Sequence, residues 1–451
     1  MNKSALFFAI SLIAGDAYSE SNDELKNRLE QALKTINDLQ MRVNTLERKQ
    51  TTITSATVTK TGEEIKAPVV APNNTVASGT ANAGNARIEL TGQVMFDAIY
   101  DFKRVDPDWT ATLRPSKIPV YCPDNGDPRD AGCGEDGETI MSVRQSKFGL
   151  KGFFPTTLGE LTTILDFDLF DSDGGSTIRV LNAWGEIGSF GAGQYYTLFM
   201  DIDTFPNTID YWGPNGMVFV RNPQLRYTPY NTNGIKVAFS LEAPGSALDT
   251  GKVTDELELA GVSINSRNEM PDIIGNFRLD RDWGHLQAAA MYRKLSFDTP
   301  SLPGAEPSNS EDGYGVNLSG VINTFGADRI TAQFAIGNGI AGYMNDGGND
   351  LAPDSDLRAE AVQSIGWFVY YDHSWNDQWS SSIGYSEHKQ DTTGGQSPDA
   401  FEKGSYSSLN LLYYPVKNMT VGAELMWGRR ENKDGNAGED SRMQFSSKFV
   451  F

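Results

Sequence analysis

The 451-residue chain predicts an all-β fold: an antiparallel transmembrane β-barrel of about sixteen strands, preceded by a short N-terminal α-helical coiled coil. Three observations carry that expectation. From residue 87 onward, segments of about ten residues alternate apolar and polar side chains, the period of a strand with one face in lipid and one in water. The connections between them alternate between short and long, as in outer-membrane barrels. The last strand places Met443, Phe445, Phe449 and the terminal Phe451 on one face.

Residues 1–19 read as a secretory signal peptide. Lys3 supplies the positive start, Ala5 to Ala14 an apolar run too short to span a bilayer, and Ala17-Tyr18-Ser19 the small residues at a cleavage site. The alternative is a buried N-terminal helix. Residues 20–49 carry a heptad pattern, with Leu29, Ile36 and Val43 at a, and Leu25, Ala32, Leu39 and Leu46 at d. Arg28 and Arg42 occupy g, Lys26 and Glu47 occupy e, and Arg42 can pair with Glu47 of a neighbouring chain. β-Branched a positions favour dimers, Leu33 at e widens the stripe, and so short a coil is marginal alone. It predicts a self-association element; the alternative is a lone amphipathic helix lying on a partner. Residues 50–86, rich in Thr, Ala, Asn and Val without period, read as a flexible linker.

The barrel is expected over 87–451. Ile235, Val237, Phe239 and Leu241 show the alternation, as do Ile330, Ala332, Phe334 and Ile336, and Val421, Ala423, Leu425 and Trp427. Strands are expected to start near 87, 140, 158, 176, 190 and 217, and onward to 419 and 442. Tight turns fall at Pro155, Gly188, Asn231, Asp282, Phe325, Asn376 and Lys417. The longer loops include 103–139, 199–216, 244–271, 340–360 and 430–440. An open sheet of this size would leave costly free edges. Cys122 and Cys133 are the two cysteines of the chain, in a Pro-, Gly- and Asp-rich loop, and read as one disulfide.

Composition excludes several classes. Hydrophobic residues make up 39% and no run of roughly 20 apolar residues offers a spanning helix. The net charge of −21 argues against nucleic acid, which asks for a basic face. His285, His373 and His388 fall on different strands without a nucleophile motif, so catalysis finds no support; a barrel lipase is the enzyme alternative. No metal or cofactor is expected. Asp171-Ser172-Asp173-Gly174 lacks the closing Glu of a calcium loop.

A barrel of this size leaves a water-filled lumen unless something plugs it, so inward charges and any inward loop set what passes. The alternation places Phe148 and Leu150 outward and so Lys147 and Lys151 inward. By the same rule Val180 and Trp184 point out and Arg179 in, and Arg226, Lys236, Arg278 and Arg293 line the interior. Arg144 and Arg221 fall out of phase and need a bulge to reach the lumen. Such a set forms a basic ladder for anions; alternatively these residues only solvate the lumen or pair with inward acids such as Glu242 and Glu424. Loop 199–216, with Asp201, Asp203 and Asp210 beside Phe205, Tyr211 and Trp212, is the candidate constriction; the alternative is an outward loop meeting lipopolysaccharide or a neighbouring subunit.

Several motifs resemble bacterial trimeric porins. Ser146-Lys147-Phe148-Gly149-Leu150-Lys151-Gly152 is similar to a porin strand pattern. Ile187 to Gln194 resembles a periplasmic turn and the strand after it, with Gln194 where that family has Arg. Arg221 to Pro229 resembles another strand motif. More narrowly, the coiled coil, linker and Gly92-Gln93-Val94-Met95-Phe96-Asp97 resemble the DcaP-like dicarboxylate channels. The resemblance implies a homotrimer with one pore per subunit in outer-membrane lipid and lipopolysaccharide. It also implies a periplasmic coiled coil and a preference for small anions such as dicarboxylates. Two other readings stay open: a general or cation-preferring porin, and an envelope-tethering protein whose coiled coil contacts the cell wall.

Overall fold

The structure, a computed structural model, describes residues 80–83, 86–121, 137–171, 174–245, 265–298, 310–355 and 359–451. The signal peptide, the coiled coil, most of the linker, and Cys122 and Cys133 lie outside the described residues.

Sixteen antiparallel staves close on themselves. They are β1 Ala86–Asp101, β2 Glu138–Ser142 continued by Lys147–Thr156, β3 Gly159–Phe170, β4 Ser176–Ile187, β5 Phe190–Tyr196 and β6 Arg221–Thr232. Next come β7 Ile235–Glu242, β8 Asn265–Asn268 continued by Asp272–Arg281, β9 Gly284–Asp298, β10 Ser310–Asn323 and β11 Arg329–Asn338. The last five are β12 Gln363–Asn376, β13 Trp379–Gln390, β14 Phe401–Val416, β15 Met419–Asn432 and β16 Ala437–Val450. Each pairs with the next, and β16 pairs with β1 from Gln93–Val450 to Asp101–Arg442. Closure gives every spanning backbone group a partner, which hydrocarbon demands. The seam ends on two hydrogen bonds between Gly92 and the terminal Phe451, at 3.0 and 3.1 Å. A Cβ at Gly92 would lie 2.6 Å from the Phe451 ring, so glycine lets the last aromatic cross the seam.

The expected alternation holds around most of the wall. On β10, Tyr314, Val316 and Leu318 are exposed outward while Asn317 and Ser319 are buried inward. On β16, Met443, Phe445 and Phe449 face out.

Three departures from the sequence reading have local causes. β2 breaks at residues 143–146 in a turn closed by Ser146 N–H to the Val143 carbonyl at 2.9 Å, and this rotates Arg144 inward. The bulge that Arg144 required is therefore present. In β4 the register slips between Asp166 and Phe167 of the partner strand, placing an extra residue at Leu181. Beyond that bulge the phase inverts, so Trp184, expected outward, is turned in and only 5% exposed. Gln194 of β5 fills the bulge, donating to the carbonyls of Val180 and Leu181. Finally, 430–440 is no long loop: polar residues carry β15 and β16 on to Asn432 and from Ala437, with Gly435 at φ 80° in the tight turn.

Candidate functional site

The long connection after β5 does not leave the barrel. Residues 197–220 form an inner loop whose buried backbone must find partners, and the inward side chains of the wall supply them. Glu242 of β7 accepts the Leu198 N–H at 3.0 Å, and Glu424 of β15 accepts that of Ile209 at 2.8 Å. Ser386 of β13 and Gln333 of β11 accept from Gly216 at 2.8 Å and Val218 at 3.1 Å. Asn276, Gln287, Asn317 and Asn410 donate to the carbonyls of Leu198, Met200, Phe199 and Asn207 over 2.7–3.0 Å. Phe199, Met217 and Val218 of the loop itself are fully buried. Their burial explains why β6 begins at Arg221 rather than near 217.

Among the described residues, these bonds run from β7 round to Gln444 of β16 and to Gln145 in the break of β2. They reach β3 and β4 only at the Tyr211 hydroxyl, which meets both Asp168 and Arg179. Inward side chains of β10 to β14 are accordingly buried, while Lys151, Ile164 and Arg226 on β2, β3 and β6 stay partly open to water. The passage therefore runs along the β2–β6 side of the barrel.

The three loop acids divide in role. Asp201 is buried and accepts from His285 Nε2 at 2.8 Å, Ser319 Oγ at 2.9 Å and Arg278 at 3.2 Å. Burial alone would raise its carboxyl, but those partners hold it below the usual carboxylate range. Asp210 is also buried, accepting from Thr112 Oγ1 at 2.9 Å, Gly213 N–H at 3.1 Å and Leu113 N–H at 3.2 Å. There burial wins and the carboxyl is raised. Asp203, its side chain 43% exposed, faces water while pairing with Arg278 at 2.6 Å. Two of the three acids therefore pin the loop, and Asp203 is the one that offers charge to the passage.

The basic residues divide as well. Lys147, Lys151, Arg221, Arg226 and Lys236 have no carboxylate within salt-bridge distance among the described residues. Arg226 bonds the Gln224 amide oxygen at 2.8 Å and lies 5.2 Å from the Trp184 ring and 5.5 Å from Tyr195. Arg221 bonds the Tyr196 hydroxyl at 2.9 Å and sits over the rings of Tyr196 and Phe219 at 4.4 and 4.9 Å. Glu242 and Glu424 form no ion pair with this set and both hold the inner loop, although Glu242 lies near enough to Arg226 to offset part of its charge. Arg179 forms a two-point pair with Asp168 at 2.8 and 3.1 Å. Arg278 is shared among Asp201, Asp203 and Asp280.

Two expected lining residues are instead structural. Arg293 is 0% exposed, paired with Asp272 and Asp350 at 3.2 Å each and bonded to the Gly339 carbonyl at 2.7 Å. It lies on the inward face as expected, but Gly339 and Asp350 of the loop after β11 cover it. Arg144 is buried over the Phe170 ring at 4.1 Å. Lys448 was missed: it lies on the inward face of β16, with β1 between it and Lys147, and its even-numbered position among the outward Met443, Phe445 and Phe449 was the available signal.

At the loop-bearing end, Arg114 of the first long loop ties three loops together. Its Nε lies 2.8 Å from Asp346, and its guanidinium is sandwiched between Trp109 at 4.0 Å and Trp212 at 4.1 Å. The histidines serve similar local ends: His285 binds Asp201, His373 binds Asp328 at 2.7 Å, and His388 binds the Asp346 carbonyl at 2.8 Å. Among the described residues no group of His, Cys, Asp and Glu could hold a metal ion.

Known proteins share this fold. The outer membrane channel DcaP of Acinetobacter baumannii is similar at 19% identity and a TM-score of 0.70, over 83% of this chain and 100% of that one. OmpF of Salmonella typhi, solved with daunomycin, is similar at 10% identity and a TM-score of 0.51, over 83% of this chain and 100% of that one. At these identities the likeness shows the fold alone. No curated protein matches the chain significantly. The model of a porin subfamily matches residues 136–449, which takes in every barrel stave except β1. A closed sixteen-stranded barrel with an inner loop and a basic passage, matched by that model over most of its length, belongs to the porin family of outer-membrane channels.

Proposed function

We propose that this porin passes small hydrophilic solutes with a preference for small anions, dicarboxylates among them. One observation carries the reading: five inward bases on β2, β6 and β7 lie along the passage without ion pairs among the described residues, while Glu242 and Glu424 hold the inner loop, Asp168 is paired with Arg179, and Asp166 stands as a single acid among them bonded to Asn182. The chain's net charge of −21 does not oppose it, because selectivity follows the charges at the constriction rather than their sum. Lys147, Lys151, Arg179, Arg221, Arg226 and Lys236 form the basic wall, with Asp203 as the water-facing acid of the constriction loop. We further propose a homotrimer in outer-membrane lipid and lipopolysaccharide, held by barrel contacts and by the periplasmic coiled coil of residues 20–49.

The deciding experiment is the reversal potential of the purified protein in a planar bilayer under a potassium chloride gradient. Anion preference, with succinate or phthalate then blocking the chloride current, supports the reading. Cation preference overturns it and leaves a general porin governed by its acidic loops. Absence of conductance would leave an envelope tether, to be tested by deleting residues 20–49.

A further inference from the structure

The lipid-facing surface of the wall is not evenly covered. Between β11 and β15 it sinks into an apolar groove of about 700 Å³, with Val369, Ile383, Leu409 and Leu425 along it. The strand register explains the hollow. One outward row reads Val369, Tyr385, Ser407 and Trp427 across β12 to β15, so the smallest side chain stands between the two largest. The next row towards the periplasmic turns, Tyr371, Ile383, Leu409 and Leu425, continues the apolar surface. Strands lie about 4.8 Å apart, so the trough over β14 is about 10 Å across at the backbone and narrower between the rings. That width admits one hydrocarbon chain and excludes a helix, which is about 10–12 Å thick.

Towards the long loops the groove ends in a polar rim. The next row reads Trp367, Glu387, Ser405 and Arg429, and the one beyond it Ile365, Lys389, Lys403 and Glu431. Tyr385 packs against Trp367 at 5.4 Å and its hydroxyl donates to Glu387 Oε2 at 3.2 Å. The same oxygen pairs with Lys403 at 2.7 Å. Glu387 thus fixes both one wall of the trough and an ammonium group above it. Arg429 and Lys389 are held more loosely. Their side chains are about half exposed, and Glu431 and Glu402 lie 3.7 and 3.9 Å away, beyond hydrogen-bond distance. The acids of the rim balance its charge, so an anion is retained here by geometry rather than by a positive field. A phosphate at Arg429 would replace a distant contact with a two-point pair.

We propose that this groove seats one phosphate-bearing lipid of the leaflet on the loop side, with an acyl chain in the trough over Ser407 and the phosphate on Arg429, flanked by Lys403 and Lys389. The seat combines the two contributions that hold a lipid at a protein surface, burial of methylene groups and attraction of basic residues to an anionic headgroup. It lies on the outside of the barrel and is independent of what the passage conducts. Its place gives it a structural consequence. The inner faces of β13, β14 and β15 carry Ser386, Asn410 and Glu424, which bond Gly216, Asn207 and Ile209. The seated lipid therefore packs behind the part of the wall that pins the constriction loop.

The test is native mass spectrometry of the full-length protein released from detergent micelles and titrated with dioleoyl phosphatidylglycerol. Dioleoylglycerol, with the same chains and no phosphate, is the comparison. The expected result is one phosphatidylglycerol per subunit retained more strongly than any further lipid and more strongly than dioleoylglycerol. Arg429→Gln should weaken that first binding by about fivefold, the contribution of one basic residue at a lipid surface. Ser407→Phe, which fills the trough, should abolish it. Arg267→Gln, at an exposed arginine of β8 beside Glu269, should leave it unchanged. Unaltered single-channel conductance shows that a variant forms a complete barrel, and Arg429→Gln alone decides the matter if Ser407→Phe does not. Equal retention of the two probes overturns the seat, as does first binding that survives Arg429→Gln or a folded Ser407→Phe. A changed number of subunits in Ser407→Phe also overturns it, by making the groove a contact between copies of the chain.

Discussion

The Glu424 carboxylate on β15 accepts the backbone N–H of Ile209 at 2.8 Å, and its other contact, Asn410 Nδ2 at 2.9 Å, also holds the loop through the Asn207 carbonyl. A wall acid of the barrel is thus a structural member of the constriction rather than a charge in the lumen.

Removing that carboxylate should loosen the loop. Glu424→Ala leaves the Ile209 N–H buried and unsatisfied, which costs about 1–3 kcal/mol. Single-channel recordings should then show a noisier open state. Glu424→Gln keeps an oxygen acceptor and should show a smaller change. Equal noise in both variants and in the unmodified protein would mean that the remaining wall contacts hold the loop by themselves.

The opposite end of the loop is predicted to respond to acid through Asp201. Its folded carboxyl is held below the usual range by His285, Arg278 and Ser319. A depressed folded value stabilises the docked loop above the unfolded carboxylate pKa of about 3.9, and that contribution is lost as pH falls through the folded value. Open-channel noise should therefore rise below about pH 4. Asp201→Asn should be noisier at neutral pH and show less change on acidification. Asp210 works in the other direction: burial raises its carboxyl, so its contribution is full at low pH and declines as pH rises through the raised value. A neutral-to-acid series that quietened the channel would show Asp210 to dominate.

The basic residues should separate by their partners. Arg226→Glu reverses a charge that is in no ion pair and should shift the reversal potential strongly toward cations. Arg179→Gln should shift it less, because Asp168 already offsets that guanidinium at 2.8 Å. Arg293→Gln should leave selectivity alone but cost about 3–5 kcal/mol of stability by stranding Asp272 and Asp350 in the interior. Urea-induced unfolding in detergent micelles reads the second quantity. A selectivity change in Arg293→Gln with unaltered stability would return that residue to the pore.

Much of this design was legible because a barrel strand has one face in lipid and one in water, so alternation reports side-chain direction. It placed Lys147, Lys151, Arg226 and Lys236 inward, and it marked Arg144 as needing a bulge. It failed at Trp184, because the Leu181 bulge adds a residue without leaving a mark in composition. It overstated the acids of 199–216, since whether an inward carboxylate is free or hydrogen-bonded depends on a partner far away in sequence: Asp201 on His285, and Asp210 on Thr112. Arg293 shows the same limit. Its face was readable, but the loop that seals it, pairing Asp350 with its guanidinium, was not.

The same long-range dependence governs the mouth. Arg114 reaches a residue 232 positions away, with Nε 2.8 Å from Asp346 and its plane between Trp109 and Trp212 at 4.0 and 4.1 Å. The Asp346 side chain is fully buried, so Arg114→Ala removes two cation–π contacts, each worth about 0.5–2 kcal/mol, and strands a buried charge. The first loop and loop 339–361 should both become sensitive to limited proteolysis while the barrel resists. Asp346→Asn alone should be milder, since the asparagine oxygen still accepts from either the Ser116 N–H or Arg114 Nε, which bond different oxygens of the carboxylate, and the aromatic sandwich is untouched. If the two changes act on one lock, the double variant will be cleaved scarcely faster than Arg114→Ala. Additive sensitivity would instead mean that the aromatic sandwich and the ion pair hold different loops.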